Sequence, residues 1–268
     1  MSTVLITGAA SGIGLAAARC FAAEGWRCEL VDRDGAALQA LHAQLPGDHH
    51  WHCVDLTVPA QIQRLGLPAQ GAATAPLIDA VINNAGMSDP SGIPLVEQAP
   101  QQQATLRALN LDAPAAVVDA LVPRLEPGAR IVNVASGAGL RAIPLRGYYS
   151  STKAGLIAQS KALAAARPDL VVTVLCPGFV RTDLVDALIA AQRLDMSHFR
   201  RQPSEEFDPG RLVYADRQVD RRARFGDGGM ELAARQIEQV ARGHQSVPQR
   251  LHRPAWSDPR PARHRPAC

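Results

Sequence analysis

Tyr149 and Lys153 stand four residues apart in the run Gly147-Tyr148-Tyr149-Ser150-Ser151-Thr152-Lys153. In a helix that spacing puts both side chains on one face. An ammonium beside a phenol stabilises the phenolate and draws its pKa down from about 10. Such a tyrosine can take a proton from an alcohol or return one to a carbonyl. Ser136 lies at the end of a predicted strand, where its hydroxyl can hydrogen-bond the same reacting oxygen. Tyr148 lacks this partnership, because its fourth following residue is Thr152. A lone Tyr-x-x-x-Lys also arises by chance in many helices, so its meaning depends on what accompanies it.

A second constellation opens the chain. Ile6-Thr7-Gly8-Ala9-Ala10-Ser11-Gly12-Ile13-Gly14 joins a predicted strand, Ser2 to Ile6, to an Ala-rich helix, Leu15 to Ala23. A strand feeding a helix through glycines exposes the helix N-terminus, with its free N–H groups and positive dipole end, to a phosphate. Gly8, Gly12 and Gly14 suit it because a Cβ would block the tight turn and the approach of a pyrophosphate. The spacing G-x-x-x-G-x-G is also compatible with an ordinary glycine-rich turn. A second strand, Arg27 to Val31, ends at Asp32. An acid there accepts the ribose hydroxyl protons of a dinucleotide and repels a 2′-phosphate, so Asp32 favours NAD over NADP. Arg33 beside it could instead hold a 2′-phosphate, and Asp32 could instead cap a helix over Ala36 to Gln44. Asp55, after a third strand at His50 to Val54, could reach an adenine amino group.

The remaining elements must bring these groups together. Pro59 to Pro76 holds helix formers with Gly66, Pro68 and Gly71 among them, predicting a short or broken helix. Leu77 to Ile82 is a fourth strand, closed by Asn83-Asn84-Ala85-Gly86. A helix over roughly Gln101 to Leu125 carries Asn110 at its middle, and Pro114 should kink it. Strands follow at Ala129 to Val134 and Leu170 to Leu175, either side of a helix from Gly147 to about Ala166. Alternating strands and helices predict an α/β fold, a Rossmann-type doubly wound parallel sheet covered on both faces.

Composition narrows the function classes. The chain has 268 residues and net charge +3, with residues 1–195 slightly acidic and residues 196–268 basic through arginine alone. Those arginines are dispersed among Pro, Asp and Glu, which argues against a nucleic-acid partner. No run of eighteen apolar residues and no leader pattern is visible, so neither a membrane nor secretion is expected. Five scattered cysteines lack ligand spacing and suit reduced thiols of a cytoplasmic protein. His42, His49, His50 and His52 cluster without a ligand set, and the expectation is surface histidines and no metal.

Thr7-Gly-Ala-Ala-Ser-Gly-Ile-Gly14, Asn83-Asn-Ala-Gly86, Asn110, Ser136, Tyr149-x-x-x-Lys153 and Pro177-Gly-Phe-Val-Arg-Thr182 occur in one order. In that set the chain resembles the short-chain dehydrogenase/reductase family of the common single-domain type, over residues 1 to about 190. The resemblance implies a catalytic tetrad: Tyr149 as general acid/base, Ser136 orienting the substrate oxygen, Lys153 tuning the phenol and holding the nicotinamide ribose, and Asn110 anchoring a relay water. It also places Gly8, Ser11, Gly12, Ile13, Gly14, Asp32, Asp55, Leu56, Asn84, Ala85, Gly86, Val180 and Thr182 around an NAD cofactor. A secondary alcohol or ketone is the implied substrate class, a homodimer or homotetramer the implied assembly. The alternatives are a 3-oxoacyl or sugar-type reductase, or a silent dinucleotide-binding protein.

Beyond about residue 195 the resemblance ends. Phe225-Gly226-Asp227-Gly228-Gly229 lacks the apolar strand that should precede it, and Met230 to Ala241 reads as a helix. Gln249 to Cys268 has the Arg/Pro/His composition of a disordered tail. The chain therefore divides into a dinucleotide-binding and catalytic core, residues 1–195, and a divergent C-terminal segment, residues 196–268.

Overall fold

The computed structural model describes residues 1–67, 75–89, 94–140, 143, 146–177, 212–214, 219–220 and 229–243. Six strands run parallel: β1 (Thr3–Thr7), β2 (Arg27–Asp32), β3 (His50–Cys53), β4 (Ile78–Asn83), β5 (Leu125–Val134) and β6 (Val171–Leu175). Their spatial order is β3-β2-β1-β4-β5-β6, continued by β7 (Leu212–Tyr214) and β8 (Val219–Asp220). β7 and β8 are antiparallel, unlike the rest of the sheet. The order reverses between β1 and β4, and at such a switch point a crevice opens beyond the strand C-termini.

Side chains alternate across the strands, and both faces are covered. Val4 and Ile6 of β1 face α1 (Gly12–Ala23), α2 (Gly35–Gln44) and the C-terminal helix α7 (Gly229–Arg242). Leu5 faces α3 (Pro59–Ile62) and α5 (Ala113–Leu121) on the other side. α6 (Gly147–Ala166) seats Leu156 and Ile157 against Val174 of β6. Among the described residues no helix is long and apolar enough to cross a membrane.

The structure differs from the sequence reading in three places. The single helix expected over Gln101 to Leu125 is α4 (Pro100–Arg107), a π-helical turn (Ala108–Asp112) and α5. Pro114 sits in the first turn of α5, where its missing N–H costs nothing. The chain absorbs the proline by widening a turn, and that turn holds Asn110. β5 begins four residues early because Gly128, at φ +82°, donates to the Asp169 carbonyl and carries the strand through Pro127. His49 is buried and not a surface residue: its Nδ1 accepts from Cys28 N (3.1 Å) and its Nε2 bonds the Pro46 carbonyl (2.7 Å). Among the described residues no group of His, Cys, Asp and Glu is placed to hold a metal ion.

Candidate active site

The β1–α1 turn is shaped by the absence of side chains. A Cβ on Gly14 would fall 2.0 Å from the Gly8 carbonyl oxygen, and one on Gly8 would fall 2.9 Å from Ala85 Cα. Gly8 and Gly12 also hold φ of +67° and +53°, in the left-handed region glycine enters freely. Ser11 stands at the N-cap of α1 with its hydroxyl uncommitted to capping, and the first turn carries no acid. The helix thus offers backbone N–H groups and a hydroxyl, with no acid in its own first turn. That is the donor set a pyrophosphate requires.

At the tip of β2, Asp32 holds the turn from the side. Its Oδ2 accepts from Ala10 N (3.1 Å) and its Oδ1 from Asp34 N (3.2 Å). The helix cap considered for Asp32 belongs to Asp34, whose Oδ1 accepts from Ala37 N at the start of α2. Asp55 accepts from both the hydroxyl (2.7 Å) and the N–H (2.9 Å) of Thr57, which hold its carboxyl below the usual range. Leu56 beside it is buried.

Thr7 joins this cradle to the second glycine turn. Its hydroxyl accepts from the N–H groups of Asn84 and Ala85 (both 3.0 Å) and donates to the Ile82 carbonyl (3.3 Å). Asn84 returns its Nδ2 to the carbonyls of Thr7 and Gly8. Gly86 then lies against the polar cluster, since a Cβ there would sit 3.2 Å from Asn110 Oδ1 and 3.3 Å from Lys153 Nζ. The Asn84–Gly86 turn therefore touches the glycine cradle at one end and Asn110 and Lys153 at the other.

The buried Asn110 grips Met87 at both ends of its amide: Oδ1 accepts from Met87 N and Nδ2 donates to Met87 O, each at 2.9 Å. Ser136 lies two residues beyond β5 and caps a short 3-10 turn, accepting from Ala138 N at 3.1 Å. Its side chain also hydrogen-bonds the Tyr149 phenol. Lys153 is buried and donates from Nζ to the Val134 carbonyl at 3.0 Å. The structure thus gathers Asn110, Ser136, Tyr149 and Lys153 at one end of the sheet, while Val180 and Thr182 lie outside the described residues.

The electrostatics differ from what the Tyr149/Lys153 spacing suggests. Burial pushes the Tyr149 phenol up, and the Ser136 hydrogen bond and Arg146 charge return only part of that shift. Lys153 is pushed down to about 8 by burial. At neutral pH the site therefore holds a protonated phenol, and a Lys153 ammonium that burial makes readier to give up its proton.

Three residues of this surface have roles that no motif reports. Thr7 belongs to the glycine run, but the run says nothing of its hydroxyl. Arg146 and Asp89 are buried, Arg146 donating to the Ser88 hydroxyl (2.9 Å) and the Asp89 carbonyl. Gln98 and Gln102 donate to the Asp89 carboxylate. Charged residues in a loop read as solvated, and only the folded chain reveals them as buried.

Fold and site together define a doubly wound α/β protein with a glycine cradle at one end of the site and a Ser/Tyr/Lys cluster at the other. The sequence pattern of the family described as short chain dehydrogenase matches residues 2–193. The chain belongs to the short-chain dehydrogenase/reductase family, the NAD(P)-binding oxidoreductases of Rossmann fold. It is 34% identical over 224 residues, 83% of its length, to an uncharacterized short-chain type dehydrogenase/reductase of Sinorhizobium fredii. It spans only 39% of that longer relative. Among solved structures it resembles a short-chain dehydrogenase from Sphingobium yanoikuyae in complex with NADPH. That likeness has a TM-score of 0.60 and 31% identity, covering 70% of this chain and 74% of the other. A 4-hydroxyisoleucine dehydrogenase complexed with NADH gives a TM-score of 0.64 at 25% identity, covering 75% and 82%.

Proposed function

We propose that this chain moves a hydride between a nicotinamide cofactor, NAD in preference to NADP, and a secondary alcohol or ketone, with Tyr149 as general acid/base. The observation that carries the reading is the Ser136–Tyr149 hydrogen bond next to a buried Lys153, joined to the glycine cradle through the Asn84–Gly86 turn. When bound, the nicotinamide supplies or accepts the hydride. Gly8, Ser11, Gly12, Ile13 and Gly14 would hold its phosphates, Asp32 the adenosine ribose, Asp55 and Leu56 the adenine. Asn84, Ala85 and Gly86, with Val180 and Thr182, would line the rest.

In the reducing direction, the protonated Tyr149 phenol gives its proton to the carbonyl oxygen that the Ser136 hydroxyl orients. In the oxidising direction the phenol must first lose its proton and then take the one on the alcohol. Lys153 favours the phenolate by its charge and holds the nicotinamide ribose. Asn110 anchors a water that returns protons to solvent. The NAD preference rests on the Asp32 carboxylate at the β2 tip, despite exposed Arg33 beside it. We further assign residues 1–195 as the catalytic core and residues 196–268 as a separate C-terminal segment, in a cytoplasmic homodimer or homotetramer. A 3-oxoacyl or sugar-type reductase would share this machinery and differ only in its pocket.

The test is calorimetric titration of the purified protein with NADH and NADPH, followed by nicotinamide absorbance with a panel of ketones. Tighter binding of NADH, with turnover of a ketone, is expected. Binding without turnover on any substrate would leave a silent dinucleotide-binding protein. Binding of neither nucleotide would overturn the reading.

A further inference from the structure

Arg146 is the N-cap residue of α6, three positions before Tyr149, and its carbonyl accepts the helix's first hydrogen bond from Ser150 N at 2.8 Å. An exposed arginine here would be unremarked, but this one is only 5% exposed. Its Nη1 donates to the Ser88 hydroxyl and the Asp89 carbonyl, in the loop that leaves β4. Met87, the preceding residue, is the one Asn110 clasps through both backbone groups. The same loop is secured further along. Asp89 is fully buried, with Gln98 and Gln102 on its carboxylate, and Leu95 packs so closely on Gly147 that a Cβ there would stand 3.2 Å from Leu95 Cβ. A buried guanidinium therefore links the two walls that carry Asn110 and Tyr149.

We propose that Arg146 is a positioning residue for the reaction: its guanidinium holds the first turn of α6, and so Tyr149, against the Met87–Asp89 wall. The proposal rests on Tyr149 being the proton-transfer group. Burying a cation costs free energy unless it is well bonded, and this one is spent beside the one tyrosine that must ionise. Its charge opposes the rise that burial imposes on that phenol. The other groups acting on the phenol are Ser136 after β5 and Cys176 after β6, which acts in the opposite sense; Lys153 lies one turn along α6. Asp89, the acid of the Arg146 cluster, is held by its two glutamines.

The test compares wild type, Arg146→Gln, Arg146→Lys and Ser88→Ala, with Tyr149→Phe as the subtraction control. Two readouts are taken: ultraviolet titration of the phenolate in the cofactor-free protein, and the pH profile of alcohol oxidation. Loss of the charge should raise the Tyr149 midpoint, so that the oxidation rate falls at fixed pH below it and is recovered at higher pH. Arg146→Lys should keep the wild-type midpoint, and Ser88→Ala, which only loosens the guanidinium, should shift it upward by less. A folded Arg146→Gln with an unmoved midpoint would overturn the proposal; if that variant does not fold, an unmoved midpoint in Ser88→Ala overturns it. The phenolate titration needs no substrate, so a protein that turns over nothing still answers this question separately.

Discussion

Lys153 Nζ donates to the Val134 carbonyl at 3.0 Å, so the end of β5 and the middle of α6 are joined by an ammonium only 4% exposed. The next residues along that strand end, Ala135 and Ser136, lead directly to the hydroxyl that meets Tyr149. Lys153 thus supports the site mechanically as well as electrically, and the fold bears a buried charge to keep it there.

That burden is measurable. Lys153 falls from 10.5 unfolded to about 8 folded. Below pH 8 it is protonated in both states and its burial cost is fully present. Between those values the unfolded chain binds the extra proton, so this group makes stability rise with pH. Lys153→Met should therefore stabilise the protein at pH 7 by about 1–3 kcal/mol, with the gap closing toward pH 10. Urea unfolding of both proteins at the two pH values checks it; a destabilised variant at pH 7 contradicts it.

Tyr149→Phe should leave NADH affinity within about threefold while lowering kcat by about 10²–10⁴-fold, the usual worth of a general acid/base. Phe at Tyr148 should cost little. Steady-state kinetics beside calorimetry separate the two; comparable losses from both substitutions would remove Tyr149 from its role.

Gly14→Ala should cripple the cradle, because its Cβ would lie 2.0 Å from the Gly8 carbonyl. Backbone must move, at about 1–3 kcal/mol of stability. NADH affinity should fall at least tenfold, about 1.4 kcal/mol. Retention of normal binding would mean the pyrophosphate sits elsewhere.

Asp32→Ser removes the acid at the β2 tip and the acceptor for Ala10 and Asp34 N–H groups. NADH affinity should drop about tenfold and NADPH affinity should rise toward it, with Arg33 free to meet the 2′-phosphate. Unchanged selectivity in parallel titrations would move the determinant away from Asp32.

On the other side of the sheet, Glu29 and Arg124 form a buried ion pair, with Arg124 also donating to the carbonyls of Leu65 (2.6 Å) and Pro76 (3.1 Å). Burial alone would raise Glu29, but the bonds from His52 and Arg124 outweigh it and hold its pKa below the usual value. Glu29→Leu should cost about 3–5 kcal/mol by leaving Arg124 uncompensated, and Arg124→Met added to it should recover much of the loss. Chemical denaturation of the single and double variants decides; additive losses would contradict the pairing.

Much of the site was legible because it is local. Gly8 to Gly14, Asn83 to Gly86 and Tyr149 to Lys153 each lie within one turn or helix, so residue type and spacing report their chemistry directly. Thr7 was not, since its hydroxyl matters only because β1 lies beside β4, bringing Asn84 within reach. Arg146 and Asp89 were illegible for the same reason: a single charge in a loop reads as wet until other parts of the chain close over it. Pro114 announced a break but not its form. A missing N–H is visible in the sequence, whereas a widened turn around Asn110 depends on what that asparagine finds to hold.

The packing of α7 on α1 has a temporal side. Ala234, Ile237, Val240 and Ala241 complete the same cluster as Ala17, Ala18 and Phe21 of α1. Arg242 reaches the Glu24 carboxylate at 2.9 Å across 218 residues of chain. α1 is therefore sealed only by a helix made after the whole of the sheet. Until α7 emerges, α1 exposes an apolar stripe, and an arrest of translation before residue 229 should give a nascent chain bound by chaperones and blind to nucleotide.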